Sequence, residues 1–217
     1  MKLESGNVFS LAQDNRPVPG CTISSAVSEE NGYYIYVFSL AADTDISPES
    51  YAYPKLWLAA EGEMEILLPG ITKALHAGEV FLTPADIPVG IRANTDSVFT
   101  EITLKKETDM NNVIKDGNVF ALKELVPYQE GKIVNMDVIR DEKLKFVVMS
   151  FAPGTGLPEH AAPGEALIFA MDGEGVIGYE GNEHVLKAGE NFKFAKNGVH
   201  YVKAEKPFKM GLLLTLE

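Results

Sequence analysis

The sequence predicts an all-β protein built from two tandem copies of one small sandwich or barrel. Three observations carry that prediction. Gly6-Asn7-Val8-Phe9 returns as Gly117-Asn118-Val119-Phe120, and the same interval of 111 residues links Ala77-Gly78-Glu79 to Ala188-Gly189-Glu190. Short β-rich runs follow one another, with Gly or Asp in nearly every gap between them. No long stretch sets apolar residues at helical spacing.

The repeat covers the whole length. Residues 1–106 laid over 112–217 without a gap give 23 identities in 106 pairs, a constant register that chance matching of common residues does not produce. It pairs Gly20 with Gly131, Ser39 with Ser150, Glu61-Gly62-Glu63 with Asp172-Gly173-Glu174, and Phe81 with Phe192. The predicted domains are therefore 1–106 and 112–217, joined by a polar linker at 107–111.

Within the first copy, Cys21–Val27 and Tyr33–Leu40 read as strands on either side of Glu29-Glu30-Asn31-Gly32, where Asn-Gly is a strong hairpin signal. Their counterparts are Ile133–Ile139 and Lys145–Phe151, around Arg140-Asp141-Glu142. Further strands are predicted at Ala166–Met171, Val176–Tyr179, Glu183–Leu186, Asn191–Phe194, Val199–Lys203 and Lys209–Leu216. Pro69-Gly70 and Glu180-Gly181 read as hairpin turns, and Gly173-Glu174-Gly175 as a β-turn. That last segment lacks the strand-to-helix context of a phosphate loop. Only Phe9–Gln13 and Phe120–Leu125 suit a helical turn or two.

Composition narrows the function classes. Apolar residues make up 46% and charged residues 23% of 217, the balance of an ordinary soluble domain rather than a disordered chain. The net charge is −12, shared as −7 on residues 1–106 and −5 on the rest. No basic face is therefore expected for nucleic acid or anionic lipid. One cysteine, Cys21, excludes an internal disulfide and a Cys-based zinc cluster. Met1–Gly6 has no apolar run of the signal-peptide kind, and no stretch approaches a membrane span, so a cytoplasmic location is expected.

A family resemblance rests on a few residues. Gly173-Glu174-Gly175, then Lys187-Ala188-Gly189-Glu190 and His200, resemble the second half of a cupin barrel. Pro153-Gly154-Thr155-Gly156-Leu157-Pro158-Glu159-His160 resembles the entry to the first cupin motif. With the repeat, the chain resembles a two-domain cupin, a bicupin. The resemblance implies two jelly-roll-type barrels, each a double-stranded β-helix, related by the 111-residue repeat. Cupins commonly hold one metal through two His and a Glu of the first motif and one His of the second. Here the first His matches His160 and the last matches His200, while the second His and the Glu fall on Ala162 and Ala166. Glu165 stands one residue before the carboxylate position. In the first copy the equivalent residues are Glu49, Tyr51, Lys55 and Val89, so no metal site is inherited there.

Two readings of this motif follow. In the first, the C-terminal barrel binds a small polar metabolite through His160 and His200, with Tyr179 or Tyr201 assisting; Ala162 and Ala166 leave room beside the histidines. In the second, His160, His200 and Glu165 hold one divalent transition metal (iron, manganese, nickel or zinc) in a dioxygenase- or isomerase-type enzyme, two His and a carboxylate being a sufficient set. Strand alternation opposes Glu165 if Ala166 faces inward. Glu49, Tyr51 and Lys55 are bulky enough to fill the N-terminal barrel or partner each other. His184 reads as half-buried and His76 as a surface residue, while Trp57, Met149, Met171 and Met210 read as core. Two linked copies can cover each other's sheet edges, so a pseudo-twofold monomer is expected, with a homodimer allowed.

Overall fold

The computed structural model describes residues 3–28, 33–105 and 108–216. The expected Asn31-Gly32 turn lies outside the described residues. Nearly all regular structure is antiparallel strand, and the chain forms two compact units. Their boundaries differ from a simple cut at 107–111. The first unit comprises Leu11–Thr108 and takes in Asn112–Ala121; the second comprises Leu122–Glu217 and takes in Leu3–Ser10 and Asp109–Asn111. Strand pairing is the reason. Val119–Ala121 completes an edge beside Glu79–Leu82, and Val8–Phe9 completes one beside Asn191–Phe194.

The first unit is a two-layer sandwich. One sheet runs in the order Val119–Ala121, Glu79–Leu82, Lys55–Glu61, Ser97–Thr103, Ile35–Leu40 and Thr22–Ser28. The other runs Asp45–Glu49, Val89–Ala93, Glu63–Leu68 and Ile71–His76. Between them Trp57, Phe81, Phe99, Ile66 and Ile91 form one buried cluster, and the Trp57 ring lies 5.6 Å from that of Phe99.

In the second unit one 15-residue strand, Glu165–Tyr179, serves both layers. Its first part pairs with Asn191–Phe194 and Phe208–Thr215, and its second part with Asn182–Lys187 and Val199–Ala204. Val199–Ala204 pairs in turn with Thr155–Ala161. The core holds Phe151, Ile168, Phe192, Phe194, Phe208 and Met210.

Two expectations need correction. The sheets do not close into barrels. In the first unit both sheets end in unpaired outer strands, because packed layers stand about 10 Å apart while ladder pairing needs about 4.8 Å. Nor does Gly173-Glu174-Gly175 turn the chain. It lies inside the long strand, with Gly173 opposite Phe208 and Glu174 opposite Lys187. Gly173 is required there for another reason. It has φ +69°, and a Cβ would sit 1.8 Å from the Pro207 carbonyl oxygen. The bend is absorbed by a register shift between Ala170 and Asp172.

Glu180-Gly181 is a true hairpin turn, with positive φ at both residues. The helical segments are short, Leu11–Asp14 and the 3-10 turn Leu122–Glu124. No helix among the described residues is long and apolar enough to cross a membrane.

Candidate functional site

The site grows out of a bulge. Thr155–Ala161 pairs with Val199–Ala204, and the register shifts between Leu157 and His160, at Pro158-Glu159. That shift brings His160 directly opposite His200. Along the partner strand His200, Val202 and Ala204 are buried, while Val199 and Lys203 are exposed and Tyr201 is half-buried, the period-two alternation of a strand with one face on the core.

The two imidazoles lie with ring centroids 4.3 Å apart and planes at 54°. His200 is only 4% exposed and stacks on Phe194 at 3.9 Å, whereas His160 is exposed. Each ring is fixed by the backbone two residues before it. His160 Nδ1 is 2.8 Å from the Pro158 carbonyl oxygen, and His200 Nδ1 is 2.8 Å from that of Gly198. Burial pushes the His200 pKa below the ordinary imidazole value, and the neighbouring His160 acts the same way, against the opposing Gly198 hydrogen bond. His200 is thus held neutral.

Tyr179 joins this neighbourhood. It stands across the ladder from His200, its ring lies 5.5 Å from Phe194 and 5.7 Å from Phe192, and its hydroxyl accepts the Ala195 amide at 3.3 Å. Tyr201 does not. As the next residue after His200 it takes the outer face, donates to Glu183 and lies under the Lys203 ammonium. With Lys203, Pro158 and Glu159 it lines an outer groove of about 530 Å³. His184 is half-buried, with its ring 5.1 Å from Phe192.

Glu165 is not brought to the histidines either. Ala166 enters the core, so Glu165 takes the other face and pairs with Lys193 at 2.7 Å. Among the described residues no three His, Cys, Asp or Glu side chains gather as a metal-binding group.

The equivalent place in the first unit is occupied by a polar network. Glu49 stands opposite Val89 where the second unit has the two histidines. Lys55 reaches Glu101 at 2.8 Å, Trp57 Nε1 donates to the other Glu101 oxygen at 2.8 Å, and the Lys55 ammonium lies 3.8 Å from the centre of the Tyr51 ring. Burial, followed by the charges of Glu101 and Glu49, raises the Tyr51 pKa to about 12. Glu101 was not singled out by the sequence. The available signal was an acid at inward parity with Phe99 in the otherwise apolar run Ser97–Thr103. Phe194 went unnoticed as well, although it shares parity with the core residue Phe192.

Comparison with known proteins agrees with this architecture. Residues 147–215 match the cupin domain family model. The chain belongs to the cupin superfamily. A cupin 2 conserved barrel domain protein from Leptotrichia buccalis is similar over 98% of both chains, with a TM-score of 0.87 and 29% identity. Two more distant structures share the cupin fold. A salicylate 1,2-dioxygenase mutant from Pseudoaminobacter salicylatoxidans has a TM-score of 0.62 at 12% identity, covering 89% of this chain and 75% of that one. Protein Ylba from E. coli has a TM-score of 0.61 at 13% identity, covering 98% and 92%. No curated protein sequence matches this cupin.

Proposed function

We propose that this cupin is a bicupin, two copies of one unit on residues 1–106 and 112–217, and that the C-terminal copy binds a small polar molecule at His160 and His200. The copy relation is supported by pairing registers that recur 111 residues on. Trp57 opposite Phe81 matches Ile168 opposite Phe192, and Glu49 opposite Val89 matches His160 opposite His200. A Cβ on Gly62 would meet the Asp96 carbonyl and one on Gly173 the Pro207 carbonyl, again 111 apart.

One observation carries the functional reading: two imidazoles face each other with each Nδ1 anchored to the backbone. Side chains fixed in this way are preorganised for a ligand. A catalytic metal generally needs three protein ligands and an open position. Here two imidazoles stand without a carboxylate, since Glu165 is engaged by Lys193. The residues present do not fit a resident three-ligand metal centre, and no reaction step is assigned to one.

The test combines a thermal-shift screen of polar metabolites with elemental analysis, on the natural protein and on His160→Ala and His200→Ala. The expected result is a stabilising compound whose effect disappears in both variants, with metal far below one per chain. One tightly held metal per chain, lost in both variants, would overturn the reading in favour of a metal enzyme.

A further inference from the structure

The geometry points to the ligand class: we propose that the His160–His200 pair recognises an uncharged molecule through two neighbouring hydroxyl groups, a vicinal diol of the polyol or sugar kind. The inference rests on the reading that these histidines form the binding site.

The argument starts from the two backbone anchors. A carbonyl oxygen has no proton to give, so at 2.8 Å from Pro158 O and Gly198 O each Nδ1 must be the donor. In a neutral imidazole this leaves Nε2 as a bare acceptor. Among the described residues, neither Nε2 has a hydrogen-bond partner. With ring centroids only 4.3 Å apart, the two acceptors belong to one small patch. Two acceptors cannot satisfy each other. The complementary ligand must therefore donate twice.

That requirement separates the candidate chemistries. A carboxylate or phosphate would turn acceptors toward acceptors. An ammonium ion donates, but it brings a charge into a site where His200 is buried against Phe194 and where Lys193 already engages Glu165. Leaving a charge unpaired in such surroundings is costly. Two hydroxyls on adjacent carbons donate two hydrogen bonds, carry no charge and leave their lone pairs to water. His160, the exposed member, leaves the pair open to an incoming molecule from its side.

The test is nitrogen-15 NMR of the imidazole rings at a pH of about 8, where unperturbed imidazoles are neutral. The probes are cis-1,2-cyclohexanediol and cyclohexanecarboxylate, which share a ring and differ in the polar group. The expected result is the Nδ1–H tautomer in both rings, with both Nε2 resonances displaced by the diol and not by the carboxylate. His160→Gln or His200→Gln should each weaken diol binding by about fivefold or more, the loss of one hydrogen bond. An Nε2–H tautomer in either ring, displacement by the carboxylate alone, or no displacement by either probe would overturn the ligand class. Failure of the site itself has a different signature, diol binding that persists unchanged in both variants.

Discussion

Lys55 Nζ lies 2.8 Å from Glu101 Oε1, and these two side chains are 17% and 7% exposed, in the unit that has no histidine pair. Lys55 stands 111 residues before Ala166, the alanine beside the histidine site. The same fold position therefore carries an internal ion pair in one unit and a small apolar group in the other. Trp57 Nε1 and the Tyr51 ring complete the surroundings of the pair. Replacing Glu101 by Leu strands a buried ammonium and an indole N–H together. The expected loss is about 3–5 kcal/mol in urea unfolding. The double change Lys55→Met with Glu101→Leu should recover most of it, because a well-packed apolar pair avoids the desolvation cost.

Acid should destabilise the second unit through His200. Burial lowers its pKa in the folded state, so in the window below the unperturbed imidazole value of about 6.5 the unfolded chain binds more protons than the folded one. Stability is then fully present above that value and declines as pH falls, until the folded form also protonates. Urea midpoints measured between pH 8 and 5 should fall, and the fall should be shallower in His200→Asn. An equal slope in both proteins would contradict this account.

Glu165→Gln should leave binding at the histidine pair within twofold of the natural protein. The carboxylate lies on the far face of its strand with Lys193, so the change touches only a partly exposed ion pair worth about 0–1 kcal/mol. Phe194→Ala is the contrasting case. It removes the ring on which His200 stacks, and a cost of about 3–5 kcal/mol is expected from the cavity. Denaturant melts and titration with the same ligand check both.

Two glycines separate backbone strain from crowding. Gly189 has φ +87° and open space where a Cβ would stand, whereas Gly173 has φ +69° and the Pro207 carbonyl oxygen 1.8 Å from that point. Gly189→Ala should cost about 1–2 kcal/mol from the left-handed conformation alone. Gly173→Ala should cost clearly more, since the neighbouring strand must also move. Equal midpoints in urea would show that the close approach carries no energy.

The β class, most strand positions and the two histidines were legible in the sequence, because they depend on local signals. Alternation along Val199–Lys203 places His200 on the core face. Glycines mark the left-handed positions that a strand bend or hairpin needs. The constant 111-residue register carries the information about both halves at once. Relations across strands, in contrast, arise only in the folded chain. The bulge at Pro158-Glu159 sets His160 opposite His200, and no local pattern specifies that register shift. Whether Glu165 joins them depends on which face Ala166 takes, and the core takes Ala166. Likewise, Val8–Phe9 and Val119–Ala121 have ordinary strand sequences. Only the open edges at Asn191–Phe194 and Glu79–Leu82 select their partners, because an unpaired backbone edge is satisfied by whichever strand the fold brings to it.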